Sequence, residues 1–464
     1  MTVPTQSPKA LTAPVARTRP PRRHLDDLAL PVDTETLSAV SSGGPDWLVE
    51  DRRAAFEAWA ALPGESNQLY TPYIDLRAAK LENARIVMEP ATERRTGTLP
   101  EDADGLIEIS EGRVTTVELS DAARAAGVAL RSLLDDVEST RDLLAGGSTL
   151  PADDKFAQLT RALWTQGVIL DVPAGTTLAK PIIVRWSVGA PDRALLTRTL
   201  VRLGDGAHAS LVEELVATVG TDAPGAGQAF FAGTTEVALG ADATLTVASL
   251  QEFGPATVAI LHRHATVGEG ATLHWALAQL GSRLVRSRVD NRLVGDRSSV
   301  EQVEIVFGAD EQLFDLTSFT THIGRDTTGD LLSKAALLER SRTYLKGLIT
   351  IDKTAIGTDS FLGEFGMNLS KAARSVAIPS LEIDQPDCRR AMHSSSVGPV
   401  DEIQLFYLES RGIPPDEARK FIVLGFLEPV VARVPLASAQ DRLRELLEAK
   451  WTAGTDGVAG EAAA

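Results

Sequence analysis

Apolar residues recur at two different periods along this chain, and the place where the period changes divides it. From Val168 onward the step is two: GVILDV, a turn at PAGTTL, then PIIVRWSV, the pattern of strand, turn and strand. A degenerate repeat follows in LVRLGDGAHASLVEE, TEVALGADATLTVAS, HATVGEGATLHWALA and NRLVGDRSSVEQVEI, each an alternating run broken by a glycine-bearing turn. The turn glycines Gly204, Gly240, Gly268 and Gly295 lie 36, 28 and 27 residues apart. Recurrence of this kind predicts a solenoid whose units stack on their neighbours. Glycine would take the left-handed or tight corner positions, while Val, Leu, Ile and Ala alternate inward. A parallel β-helix is the preferred architecture; a β-sandwich shares the same strand-and-turn spacing and is the alternative. Further strands are expected in VEQVEIVFG, FDLTSFTTHI and YLKGLITIDKTAIGTDSF. The ends of such a stack promote association, and the helical segments on both sides are expected to cap them.

On either side of the repeat the period is helical. Asp33 to Val40 reads as a short helical turn, and a stronger helix starts at Pro45-Asp46 and stops at Pro63-Gly64. Tyr70 to Leu76 reads as extended, and GLIEIS and RVTTVEL form a strand pair around Glu111-Gly112. Ser120 caps a helix, a second helical run covers Leu130 to Leu144, and Ala152 to Gln166 is an amphipathic helix ending at Gly167. Three helices close the chain: Asp401 to Arg411, Asp416 to Phe426 after Pro414-Pro415, and Ala437 to Trp451. The expected divisions are a tail over 1–31, a helical and mixed part over 32–166, the β-helix over 167–399, a helical part over 400–452 and a tail over 453–464. Residues 1–31 hold five Lys and Arg before the first acid at Asp26, and six prolines, a composition that does not offset the entropy of ordering. An Arg-bearing, acid-poor tail also suits an organelle transit peptide, although no amphipathic helix is visible in it.

Composition narrows the function classes. No apolar run reaches the length of a membrane span, and a net charge of −17 repels phosphate backbones, so neither membrane nor nucleic acid is an expected partner. One cysteine excludes an internal disulfide, fits a reducing compartment such as the cytoplasm, and cannot supply the several thiolates that usually hold an iron–sulfur cluster. No phosphate-binding loop G-x-x-x-x-G-K-[ST] occurs, and Gly225-Ala226-Gly227 lies in a polar loop without the context of a dinucleotide site. His262 and His264, two apart on a predicted strand, face one way and could share a metal; a half-exposed strand face is the ordinary reading. The remaining candidates gather between Leu381 and Pro429. Cys388 has Arg389 and Arg390 beside it to favour a thiolate, His393 sits in a polar loop, and Asp384 and Asp387 are either hard ligands or solvated.

That stretch also carries a resemblance. DEIQLFYLESRGIPPDEARKFIVLGF resembles the C-terminal signature of the SufB/SufD family, paralogous scaffold subunits of the Suf iron–sulfur assembly machinery. KFAQLTRALWTQGVILDVPAGTTLAKPIIV resembles the family's entry into its core, and DWLVEDRRAAFEAWAALP its N-terminal helix. RSRTYLKGLITIDKTAIGTDS and NLSKAARSVAIPSLEID resemble its last coils. The similarity covers residues 45 to 435, and the Cys-poor chain with its SRGI and EAR blocks is more similar to SufD than to SufB. The resemblance implies a mainly β chain with a right-handed parallel β-helix core flanked by helical domains. It implies pairing with a SufB-like paralogue through the core, and docking of a SufC-like ABC ATPase on the C-terminal helices. For that docking, the matching block contains Asp401, Leu405, Phe406, Tyr407, Arg411, Gly412, Glu417, Arg419 and Phe426. In this picture the chain is a non-catalytic scaffold that holds no cofactor tightly by itself, with a transient cluster at the SufB interface.

The SufD pattern at that interface is commonly Cys-Ser-His. Aligned on His393, it places Ala391 at the cysteine position and leaves Cys388 three residues early. His393 is therefore the candidate ligand for metal, with Cys388 the lesser one. A SufB-like or orphan homodimer, or self-pairing of the isolated chain, is the alternative assembly, and a polysaccharide-active β-solenoid enzyme is the alternative outside this class.

Overall fold

The computed structural model describes residues 28–64, 75–88, 98–144, 150–218, 227–434 and 437–462. The N-terminal part contains α1 (Thr34–Ser41), α2 (Asp46–Ala61), a short strand β1 (Arg85–Ile86), the hairpin β2 (Gly105–Ser110) and β3 (Arg113–Leu119), and α3 (Asp121–Ala125). β4 (Ala129–Ser132), α4 (Arg141–Leu144) and α5 (Lys155–Leu163) complete it. The repeat begins with β5 (Gln166–Val172), β6 (Ile182–Val188), β7 (Arg193–Leu203), β8 (His208–Ala217), β9 (Ala229–Leu239) and β10 (Thr244–Glu252). It continues with β11 (Thr257–Val267), β12 (Thr272–Gln279), β13 (Leu284–Leu293), β14 (Ser299–Gly308) and β15 (Leu313–His322). Its last strands are β16 (Thr328–Leu337), β17 (Arg342–Ile351), β18 (Asp359–Asn368), β19 (Arg374–Ile383) and β20 (Arg390–Gly398). Helices α6 (Glu402–Ser410), α7 (Pro415–Val431) and α8 (Ala437–Ala462) follow.

Odd-numbered strands from β5 to β19 make one sheet and even-numbered strands from β6 to β20 the other, each neighbouring pair parallel. The chain therefore crosses from sheet to sheet after every strand, which is a parallel β-helix and excludes the sandwich. GVILDV and PIIVRWSV, adjacent in sequence, lie in opposite sheets for this reason. In-register stacking puts like on like: Leu203, Leu239, Val267 and Leu293 form one interior column.

The corner glycines divide into two kinds. Gly240 N donates to Leu203 O at 2.9 Å and Gly268 N to Leu239 O at 3.1 Å, so successive corners lie against each other. A Cβ on Gly268 would come within 2.6 Å of Leu239 O, and close approach is what requires glycine here. The left-handed position falls two residues later and tolerates other residues: Gly206, Asp242, Gly270, Arg297, Asp326 and Gly357 all have positive φ.

The helices do not cap the ends of the stack as expected. Phe156, Leu159 and Leu163 of α5 pack on Leu196, Phe230 and Ile260, the outer face of the odd-numbered sheet. Val423 and Leu427 of α7, with Leu443 and Leu447 of α8, cover Leu250, Ala276, Ile305 and Ala336 on the other. In the middle rungs both faces of the sheets are thereby buried, and Thr257–Ala265 of β11 is buried without a break, as expected for parallel sheets covered on both sides. Antiparallel β4 on β5 and β3 on β2 close the N-terminal end. Among the described residues no strand lies beyond β19 or β20.

Several boundaries differ from the sequence reading. The run Leu130–Leu144 is not one helix: its start is β4, held by β5, and two 3-10 turns and the short α4 follow. Tertiary pairing overrides helical propensity there. α5 starts at its cap Asp154, whose Oδ1 accepts from Ala157 N at 2.7 Å. It ends at Leu163, because Gln166 is drawn into β5 with its side chain bonded to Ser132 Oγ at 2.8 Å and Gly112 O at 3.1 Å. Leu28, within the expected tail, is buried against the α2–α5 cluster, and α8 runs past Trp451 to Ala462. The tail through residue 27, the extended stretch at 70–74 and the loop at Gly225 and Ala226 lie outside the described residues.

His262 and His264 are not on a half-exposed face. They point outward from β11 under the N-terminal helices, and both are buried. His262 Nε2 lies 2.7 Å from Asp290 Oδ2, and Nδ1 lies 3.7 Å from Asp154 Oδ1; Arg288 bonds both carboxylates. Burial pushes the His262 pKa down, but Asp154 and Asp290 outweigh it and the net shift is upward. Burial takes His264 down to about 4, so it is neutral.

Candidate functional site

The last coil and the helices after it hold the residues singled out by the sequence. His393 is not in a loop: it lies in β20, an edge strand paired on one side with β18, in register with Leu362. Leu362 is in turn in register with Leu331 of β16. Both leucines belong to an interior cluster with Ile349 and Ile351. Side chains in register share a face, so His393 continues an interior column at the end of the solenoid, where the imidazole is exposed instead of covered by another rung. Ala391 and Cys388 pack half-buried against that cluster.

The arginines beside Cys388 are engaged elsewhere. Arg389 pairs with Asp326, and Arg390 Nε lies 2.6 Å from Asp359 Oδ1. Asp384 is exposed and its N–H extends the ladder to Ile351 O; Asp387 is a corner whose carbonyl accepts from Gly357 N at 2.8 Å. Among the described residues no three His, Cys, Asp or Glu side chains converge as a metal site. This chain brings one exposed imidazole to the coil's edge, and a complete ligand set would need groups from another surface. Glu364 of β18, in register with Ser395, was missed by the sequence reading. It is 1% exposed, and its Oε2 accepts from Ile378 N of β19 at 2.9 Å. Burial pushes its pKa up to about 8, against the bond from Ile378 and the charge of Lys346.

The end itself is apolar as well as unpaired. Ile383 at the tip of β19, with Met392 and Val397 of β20, are large hydrophobic side chains that remain exposed. A second exposed apolar surface lies on α6, capped by Asp401 Oδ1, which accepts from Ile403 N at 2.8 Å. Ile403, Phe406 and Tyr407 share one side of α6 by their spacing and are 78%, 72% and 55% exposed; no residue of α6 is buried. Arg411 stacks over the Tyr407 ring, and Gly412 makes the left-handed turn into α7. Asp401, Gly412, Glu417 and Arg419 are exposed and Leu405 is half-buried. Phe426 belongs inward: it packs against the even-numbered sheet, and its carbonyl accepts from Lys334 Nζ at 2.8 Å. The 3-and-4 spacing of Ile403, Phe406 and Tyr407 was visible in the sequence; exposed Phe421 of α7 was not distinguishable from a core residue.

The chain is thus a parallel β-helix with helices on both outer faces, an open final coil and an α6 with no buried residue. The family model described as "SUF system FeS cluster assembly, SufBD core domain" matches residues 186–426, more than half of the chain, and the chain belongs to that SufBD family. It is 29% identical over 299 residues to the iron–sulfur cluster assembly protein SufD of Bacillus subtilis, covering 64% of this chain and 67% of that one. A SufBD family protein of Staphylococcus haemolyticus is 27% identical over 298 residues, 64% of this chain and 63% of its own. A third relative, from Staphylococcus epidermidis, is 26% identical over 314 residues, with 68% and 66% covered. The matches thus span about two thirds of these relatives' length. Among the described residues no helix is long and apolar enough to cross a membrane.

Proposed function

We propose that this chain is the SufD-like, non-catalytic subunit of a cytoplasmic scaffold complex for iron–sulfur cluster assembly. The observation that carries this reading is the final coil, with two unpaired parallel edges, exposed Ile383, Met392 and Val397, and His393 at the end of an interior column. Unpaired edges accept further strands, and a SufB-like paralogue that ends in the same way would continue both sheets. The nascent cluster is the cargo of that junction. His393 offers it one exposed imidazole, a ligand type suited to iron, and the paralogue supplies the rest. The apolar face of α6 is the docking surface for a SufC-like ABC ATPase, in which the hydrolysis takes place.

The test is co-expression with a SufB-like paralogue and an ABC ATPase, followed by mass measurement of the purified complex. A complex containing all three chains is expected. Met392→Asp combined with Val397→Asp should release the paralogue while the far-ultraviolet circular dichroism stays unchanged. A paralogue that remains bound to that variant refutes the open coil as the junction, and a chain that pairs only with a second copy of itself refutes the heteromeric assignment.

A further inference from the structure

On the flank of the solenoid lies a cavity of about 500 Å3. Asp75, Arg77 and Lys80 line it from the segment before β1; Arg283, Glu311, Arg340 and Arg342 line it from the corners where β13, β15 and β17 begin. Those corners are consecutive rungs: Leu313 N donates to Arg283 O at 3.1 Å and Arg342 N to Gln312 O at 2.9 Å. Five cationic side chains here face two carboxylates, in a chain whose net charge is −17.

Both carboxylates are already engaged. Arg77 holds Asp75 with two prongs, Nε to Oδ1 at 2.8 Å and Nη2 to Oδ2 at 2.7 Å. Glu311 is shared by Arg340 at 3.1 Å and Arg283 at 3.5 Å. The side chains of Lys80 and Arg342 make no hydrogen bond or salt bridge among the described residues. The segment carrying Lys80 is fixed in place, because Gln228 Oε1 accepts from Lys80 N at 2.6 Å and Gln228 Nε2 donates to Ala78 O at 3.1 Å. The cations are therefore gathered on a built frame, where five positive charges outnumber two negative ones.

We propose that this cavity binds a diphosphate group, as inorganic pyrophosphate or as the phosphate end of a nucleoside diphosphate. Guanidinium forks and a lysine ammonium on two walls suit a compact, multiply charged oxyanion. The volume suits one small molecule, and the predominantly charged lining disfavours an apolar one. The bound group bridges segment 75–80 to the solenoid rungs and stiffens their contact. This inference is independent of the assembly reading, since none of these residues lies on the final coil or on α6.

The test is calorimetric titration of the full chain with pyrophosphate, ADP and citrate, on the natural sequence and on Lys80→Ala/Arg342→Ala. Both positions are exposed, so the fold should persist, and circular dichroism checks it. Saturable binding of pyrophosphate, of ADP or of both is expected, weakened by salt and by about tenfold or more in the double variant. Hydrogen exchange in segment 75–84 should slow when the ligand is bound. Binding of ADP but not of pyrophosphate assigns the nucleotide as the source; binding of both assigns the diphosphate itself. No saturable binding of either up to about 1 mM, or equal binding by the double variant, overturns the site. Citrate bound as tightly as the phosphates overturns the phosphate assignment.

Discussion

Glu364 shows how one side chain records its place in the coil. It lies in the interior beneath the last rung, and burial holds its carboxyl up at about 8. A carboxyl with a raised folded-state pKa favours the folded state most below its unfolded value near 4.5, and that contribution falls away as pH rises towards 8. At pH 7 the cost is on the order of 3 kcal/mol. Glu364→Gln keeps an acceptor for Ile378 N and removes the titration. Its melting temperature should therefore exceed that of the natural chain by an increasing margin from pH 5 to pH 8. A margin that does not change with pH would show that the carboxyl is not held neutral. On the same last rung, His393 and Cys388 divide differently from their nearness in sequence. His393→Ala should lower cluster yield in the assembled complex with the fold intact, whereas Cys388→Ser, half-buried against Ile349 and Leu362, should change it little. Equal, severe losses would mean that the family's Cys-Ser-His pattern maps onto this coil in another register.

Among elements, the corners and α5 carry the sharpest expectations. Gly295→Ala places a methyl against Glu269 N on the neighbouring corner, so it should cost about 2–4 kcal/mol of unfolding free energy. Gly206→Ala meets no atom within 4 Å and bears only the left-handed backbone, about 1 kcal/mol. Urea titrations of the two variants separate close approach from backbone conformation, and similar losses would contradict the distinction. The capping residue of α5 adds a charged tie to the helix's apolar contact with the solenoid. Asp154 caps its N-terminus and also neutralises Arg288 and His262 in a buried cluster. Asp154→Ala leaves Asp290 alone to face Arg288 and His262 in that buried cluster and should destabilise the chain by about 3–5 kcal/mol. A loss of the size of a lone helix cap, about 1 kcal/mol, would show that the cluster adds nothing.

For the whole molecule, the C-terminal helices have two separable roles. Deleting everything after Val400 should abolish ATPase docking, but it would also strip α7 and α8 from Leu250, Ile305 and Ala336 and expose the outer face of the even-numbered sheet. Phe406→Ala with Tyr407→Ala leaves that face covered and changes only the exposed side of α6. The double substitution should weaken ATPase capture in a pull-down by tenfold or more, about the effect of removing two interface anchors. Undiminished capture would place the docking surface elsewhere. Much of this arrangement was legible beforehand: the step of two from Val168, the glycine corners, the helix starts at Asp33, Pro45 and Ser120, and the family block around Tyr407. The faces covered by helices were not, because a strand buried on both sides looks the same whether a helix or another sheet covers it. His262 and His264 on β11 read as a half-exposed face for the same reason, since Asp154, which lies beside His262, comes from the distant cap of α5.

His393 shows where local pattern ends and stacking begins. Alternation, turn chemistry and capping act over a few residues, so the sequence by itself determined that the chain winds as strands and corners, and that helices precede and follow. Which rung is last, which way His393 faces, whether Glu364 is roofed, and which side of α6 is left bare depend on contacts between rungs 27 to 36 residues apart and on helices returning from much farther. Only the tertiary structure decided those, because burial is a property of what lies next to a residue in space, and the sequence orders residues along one dimension alone.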